Sequence, residues 1–100
     1  MYLNIQSDGT LSLEETDDFS TFEIHSAIDL ASGQFNEDFA KISEPADNDR
    51  YWIDAEAILE LSSHAGKLEW RRAYWVMLEQ AERFGFADVN QKKIKAHVAK

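Results

Sequence analysis

Residues 68–84 read LEWRRAYWVMLEQAERF, and the spacing of the apolar members decides the fold. With Trp70 at the zero of a helical wheel, Ala73, Tyr74, Met77, Leu78, Ala81 and Phe84 fall on one side. Arg71, Arg72, Glu79, Glu82 and Arg83 fall elsewhere, which predicts an amphipathic helix with one buried stripe. Gly85 follows as a left-handed stop. Burying each large member of the stripe stabilises by about 1.5–3 kcal/mol, before the entropy of ordering the chain is set against it. No other segment offers as much apolar surface in one periodic run.

The neighbours of this stretch are read from their end signals. Upstream, Asp54 is placed to cap a helix, Ile53 and Ile58 occupy staple positions, and Glu56 meets the positive helix end. Ala55, Ile58, Leu59, Ser62 and Ala65 form its expected buried face, with Gly66 as its stop. The short link to Leu68 then predicts an antiparallel helix pair. Downstream, Asp88 with Gln91 has the form of a second capping signal, predicting a short helix to about Ala99 with a thin apolar supply (Val89, Ile94, Ala96, Val98).

The first forty residues carry a different period. Tyr2–Gln6 and Leu11–Leu13 alternate around Ser7-Asp8-Gly9-Thr10, a hairpin signal. For Leu3 and Ile5 to share a face with Leu11 and Leu13, opposed residue numbers must sum to an even number. A two-residue Asp8-Gly9 loop gives an odd sum, so a longer loop or a bulge is expected. Phe22, Ile24, Ser26, Ile28 and Leu30 alternate as a strand, and Ser32-Gly33 reads as a tight turn. Phe35, Phe39 and Ile42 fit either a fourth strand or a short helix. Residues 44–50, polar and holding the one proline, form the main connector, with Tyr51-Trp52 anchoring it on the core. The fold class is therefore α+β: an antiparallel β-meander of three to four strands, then an antiparallel helix pair and a short C-terminal helix. One domain covers residues 1–100, with 1–43 mainly strands and 51–100 mainly helices.

Charge is the strongest functional signal. The net charge is −9, and it is unevenly placed. Residues 1–60 hold 15 acids against Lys41 and Arg50, a balance of −13, whereas residues 61–100 hold four acids against eight bases, a balance of +4. Such asymmetry points to self-complementary packing or to a basic partner for the acidic half. It disfavours direct nucleic-acid binding, because the long-range field repels phosphates. The chain has no cysteine, which excludes disulfides, thiolate catalysis and cysteine-ligated zinc. No apolar run reaches the roughly 18–20 residues of a membrane span, and Met1-Tyr2-Leu3-Asn4 lacks the basic start of a signal peptide, so a cytoplasmic protein is expected.

Chemical motifs are few. An EF-hand reading of residues 47–58 places Trp52 where glycine is needed and Ile58 where a bidentate glutamate is needed. His25, His64 and His97 come from three separate elements without paired ligand spacing, so neither a metal nor a cofactor is expected. Acid pairs such as Glu37/Asp38 and Asp47/Asp49 lie in polar surroundings, where both members ionise. Lys92, Lys93, Lys95 and Lys100 form a small basic patch expected to lie against the acidic half of this or a second chain. Trp75 and Val76 fall off the main stripe, beside Arg72, Glu79 and Arg83; a flanking segment (the terminal helix or the sheet) covering this side, cation–π contact of Trp75 with Arg71, or an interaction face are the readings. The leading expectation is a non-catalytic protein that docks a basic protein partner, with a possible homodimer. Its interaction candidates are Trp75, Arg71, Glu79, Asp17, Asp18, Glu37 and Asp38. The rival readings are an inhibitor or immunity-type protein imitating nucleic acid, and a small enzyme with a sheet–helix pocket using His25.

Overall fold

The first sheet forms around a hairpin whose turn is longer than its Asp8-Gly9 dipeptide suggests. In the computed structural model, which describes residues 1–30, 37–47 and 49–99, β1 (Tyr2–Ile5) pairs antiparallel with β2 (Leu11–Glu14). Leu3 faces Leu13 and Ile5 faces Leu11, the even-sum register that puts all four on one side. Gly9 takes φ 89° inside the turn, and Gln6 N–H donates to Thr10 O at 3.0 Å to close it. The third strand departs from the expected meander. β3 (Glu23–Ser26) lies on the other side of β1 and runs parallel to it, giving the order β2-β1-β3. A parallel neighbour needs a crossover, and the stretch from Glu15 to Phe22 supplies it. That crossover is tied down: Trp70 Nε1 donates to Thr16 O at 2.7 Å, and Phe19 lies 5.9 Å from the Trp70 ring.

Residues 37–42 resolve as helix α1 (Glu37–Ile42), with Glu37 and Asp38 in the first turn and Lys41 in the last. Phe39 is buried edge-on to Tyr51 at 5.2 Å. The expected Ser32-Gly33 turn, Phe35 and Lys100 lie outside the described residues.

A second sheet, absent from the expected architecture, follows. It comprises β4 (Ser43–Pro45), β5 (Arg50–Asp54), β6 (Ala87–Asp88) and β7 (Lys93–His97), in the order β4-β5-β7-β6. Tyr51-Trp52-Ile53 is thus a strand and not merely an anchored connector, in keeping with the aromatic and β-branched preference for a pleated surface. The expected C-terminal helix is replaced by β6, a turn and β7. Asp88 Oδ1 does accept from Gln91 N–H at 3.0 Å, yet this bond closes a turn that ends at Lys92 with φ 56°. Beyond it Ile94 and Ala96 point inward with period two, opposite Ile53 and Tyr51. Pairing along β5 outweighs the weak helical content of this stretch. The two sheets meet where Ile24 bridges Val98 and Ala99 N–H donates to Ile24 O at 2.8 Å.

Two helices lie within the stretches read as helical upstream and downstream of Gly66. Asp54 caps α2 (Ala55–Leu61), accepting from Glu56 N–H at 2.9 Å and Ala57 N–H at 3.3 Å. This helix ends at Ser62, not at Gly66, and packs on β2, β5 and β7. α3 (Leu68–Glu82) buries Trp70, Tyr74, Met77 and Leu78. Tyr74 Oη donates to Ala55 O at 2.8 Å, tying α3 to the start of α2, and burial pushes the phenol pKa far up, with Asp54 adding to the shift. Phe86 N–H to Ala81 O and Gly85 N–H to Glu82 O, both 3.0 Å, make the Schellman pairing, with Gly85 at φ 82°. The helix therefore stops before Phe84, which leaves the stripe and stands 76% exposed. The core joins both sheets and both longer helices, with Leu3, Ile24, Ile53, Ile58, Leu78 and Ile94 at 2% exposure or less.

Candidate functional site

Three bases of the C-terminal part meet acids of the first sixty residues. Lys92 Nζ reaches Glu56 Oε1 at 2.7 Å, Lys93 Nζ reaches Glu44 Oε1 at 2.9 Å, and Arg71 Nη1 reaches Glu60 Oε1 at 3.7 Å. The Glu56 carboxylate holds the Lys92 ammonium above its ordinary pKa through the hydrogen bond and its charge. Arg50 pairs with Asp47 at 3.6 Å. By contrast, Asp8, Glu14, Glu15, Asp17, Glu37 and Asp38 form no ion pair among the described residues. Asp38 and Thr10 line one shallow depression, so α1 and the β1–β2 turn are neighbours. Asp18 is engaged locally: Ser20 Oγ and N–H both donate to its Oδ1, and these bonds lower its pKa.

Trp75 is half-buried, edge-on to Tyr74 at 5.7 Å, and packs against the core. It lines a groove of about 600 Å³ between α2, α3 and the β6–β7 turn, together with Arg71, Glu60, Glu56, Val89 and Lys92. Arg71 Nη1 also donates to Ala65 O at 2.9 Å, which holds the guanidinium against the end of α2. The cation–π contact found among the described residues is a different one, Lys95 Nζ over the Trp52 ring at 5.3 Å. Glu79 is exposed on α3.

His25 and His97 do converge, on Glu23. His25 Nε2 lies 2.8 Å from Glu23 Oε1, and His97 Nε2 lies 3.4 Å from Oε2. Tyr2 stacks on the His25 ring at 3.9 Å. The hydrogen bond from His25, with the charges of both rings, holds the Glu23 carboxyl below its ordinary pKa. Because each nitrogen ends on a separate carboxylate oxygen, the three groups share no common ligating point. Among the described residues no set of His, Cys, Asp and Glu is arranged to hold a metal ion. His25 lines none of the grooves described in this section.

The sequence reading missed a third feature, an apolar groove of about 430 Å³. Phe19, Phe22, Met77, Phe84, Phe86 and Ile94 supply its apolar walls. Phe84 and Phe86 are among the large hydrophobic residues most exposed to solvent. The signal available in the sequence was Gly85: a helix stopped there frees Phe84 from the stripe.

No helix among the described residues is long and apolar enough to cross a membrane. Comparison with known proteins finds no matching family model, no matching curated protein and no matching solved structure.

Proposed function

We propose that this chain is a non-catalytic, cytoplasmic protein-interaction module that docks a basic protein partner through its acidic front. One observation carries the reading. Lys92, Lys93, Arg71 and Arg50 are matched by Glu56, Glu44, Glu60 and Asp47, whereas Glu14, Glu15, Asp17, Glu37 and Asp38 meet no base among the described residues and Asp18 meets the Met1 ammonium at 3.8 Å. The field of the first sixty residues is thus directed outward from that side, where it raises the encounter rate with a positively charged surface. Asp17, Glu37 and Asp38 are the assigned contacts, and Asp18, held by Ser20, borders them. Trp75, Arg71 and Glu79 form a second assigned patch, through which two copies associate.

The test is affinity capture at low and at high salt with the wild-type chain and with the combined Asp17→Lys, Glu37→Lys, Asp38→Lys variant. Specific basic partners should be retained by the wild type at low salt, released at high salt, and lost in the variant. Capture that ignores both salt and charge reversal would count against the proposal. Light scattering checks the second patch, since a monomer at high concentration removes the self-association role of Trp75.

A further inference from the structure

The face of α3 between the two grooves is exposed along its length. Glu69, Arg72, Val76, Glu79 and Arg83 span about 80° of the helix circumference, on the side away from Trp70 and Tyr74. All five are exposed, and Val76 keeps 52% of its surface open. Leu68, 61% exposed, borders them at the helix start. Arg83 caps the helix with right-handed helical angles (φ −59°, ψ −26°), so the row stays regular to its end. Trp75 bounds this face toward the mixed-charge groove, and Gln80 bounds it toward the apolar one.

The four charged members form no ion pair among the described residues. Glu69 with Arg72 and Glu79 with Arg83 have helical spacing for pairing, yet neither pair closes within the helix. Their order along α3 is acid, base, valine, acid, base. Turned end for end about Val76, it reads base, acid, valine, base, acid, the opposite sign at every charged position. An antiparallel second α3 therefore sets Glu69 beside Arg83 and Arg72 beside Glu79, each pair occurring twice, with Val76 against Val76. A parallel copy sets like charges together at all four positions, which is repulsive. Building on the self-association proposed above, we infer that this face binds a second copy of the chain, antiparallel, about a two-fold axis at Val76. Trp75 then lies at the margin of the contact. One helix face buries less than the roughly 1,200 Å² of a standard interface, and exposed pairs are screened, so the dimer is weak and salt-sensitive.

The experiment is sedimentation velocity on the full chain at low salt, in a concentration series up to about 1 mM. Glu69→Arg sets like charges against Arg83 twice across the axis, and Arg83→Glu does the same against Glu69. Each should weaken dimerisation about tenfold. The double variant Glu69→Arg, Arg83→Glu restores opposite charges and should return to within about twofold of wild type. Orientation is read with cysteine, which the chain lacks. Val76→Cys should join its own copy under mild oxidation. Arg72→Cys stands about 12 Å along the axes from its counterpart, beyond disulfide reach, and should not. A monomer across the whole series overturns the inference together with the self-association reading, and leaves the docking of a basic partner to its own salt test. A dimer indifferent to the single variants, one that the double variant fails to restore, or equal cross-linking at positions 72 and 76 overturns this inference alone. Circular dichroism melts of each variant separate a lost dimer from a lost fold.

Discussion

Two grooves share α3 as a wall, and they differ in how their charges are satisfied. The one beside Trp75 mixes acids and bases that already neutralise each other, Arg71 with Glu60 and Lys92 with Glu56. The one beside Phe84 is walled chiefly by apolar side chains, and two of its three ionisable groups, Arg50 and His97, are paired with Asp47 and Glu23. A polar ligand entering the first must compete with internal ion pairs, whereas the second offers chiefly exposed apolar surface. Size alone ranks them in the opposite order, about 600 Å³ against about 430 Å³. The character of the lining, and not volume, is what distinguishes them.

The largest perturbation should abolish the contrast altogether. Trp70 is buried, stacks on Tyr74 at 5.4 Å and holds the crossover through Thr16. Trp70→Ala should cost about 3–5 kcal/mol in denaturant unfolding and loosen both walls of α3. Trp75→Ala touches the first groove only, and half-burial limits its expected cost to about 1–2 kcal/mol. Equal large losses would mean that α3 is buried on two sides. Gly85→Ala sharpens the second groove. An added Cβ there meets nothing within 4 Å, so the expected loss of about 1–2 kcal/mol is the conformational cost of positive φ alone.

Acid titration gives a smaller effect, centred on the edge of the second groove. The folded-state pKa of Glu23 is depressed, so its stabilising contribution is fully present above its unfolded value and is lost as pH falls through the folded one. Glu23→Gln should therefore flatten the decline in melting temperature below about pH 4.5, while leaving the profile near neutrality little changed. The smallest effect is expected for Lys92→Ala in the first groove. Its partner Glu56 is exposed, and an exposed pair of this kind is screened, so the melting temperature should stay within experimental error.

How far these features were legible depends on the range of the interactions that make them. The α3 stripe, the Asp54 cap and the parity of the β1–β2 register arise within a few residues of chain, and the sequence displays them directly. β5 and β7 stabilise each other across the whole helical section. Tyr51-Trp52-Ile53 and Ile94-Lys95-Ala96 therefore look inconclusive until Ile53 is known to face Ile94. The Asp88–Gln91 signal is ambiguous in itself, because a helix cap and a tight turn use the same side-chain-to-backbone bond. The parallel placement of β3 depends on a crossover whose anchor, Trp70, lies far along the chain. For the sites, the wheel drew attention to Trp75 but carried the stripe on to Phe84, two residues beyond Glu82, where the helix ends. The apolar groove was invisible to periodicity because it is the place where a strand stops.

The junction of Ile24 with Val98 has a kinetic meaning. It links the first sheet to the last strand, so neither layer closes its edge until opposite regions of the chain have found one another. Loop closure over such a span comes before its contacts repay it, and assembly should therefore be slower than the local helices alone would suggest. In a refolding experiment, α3 would gain helicity early and the clasp at Ala99 would form late.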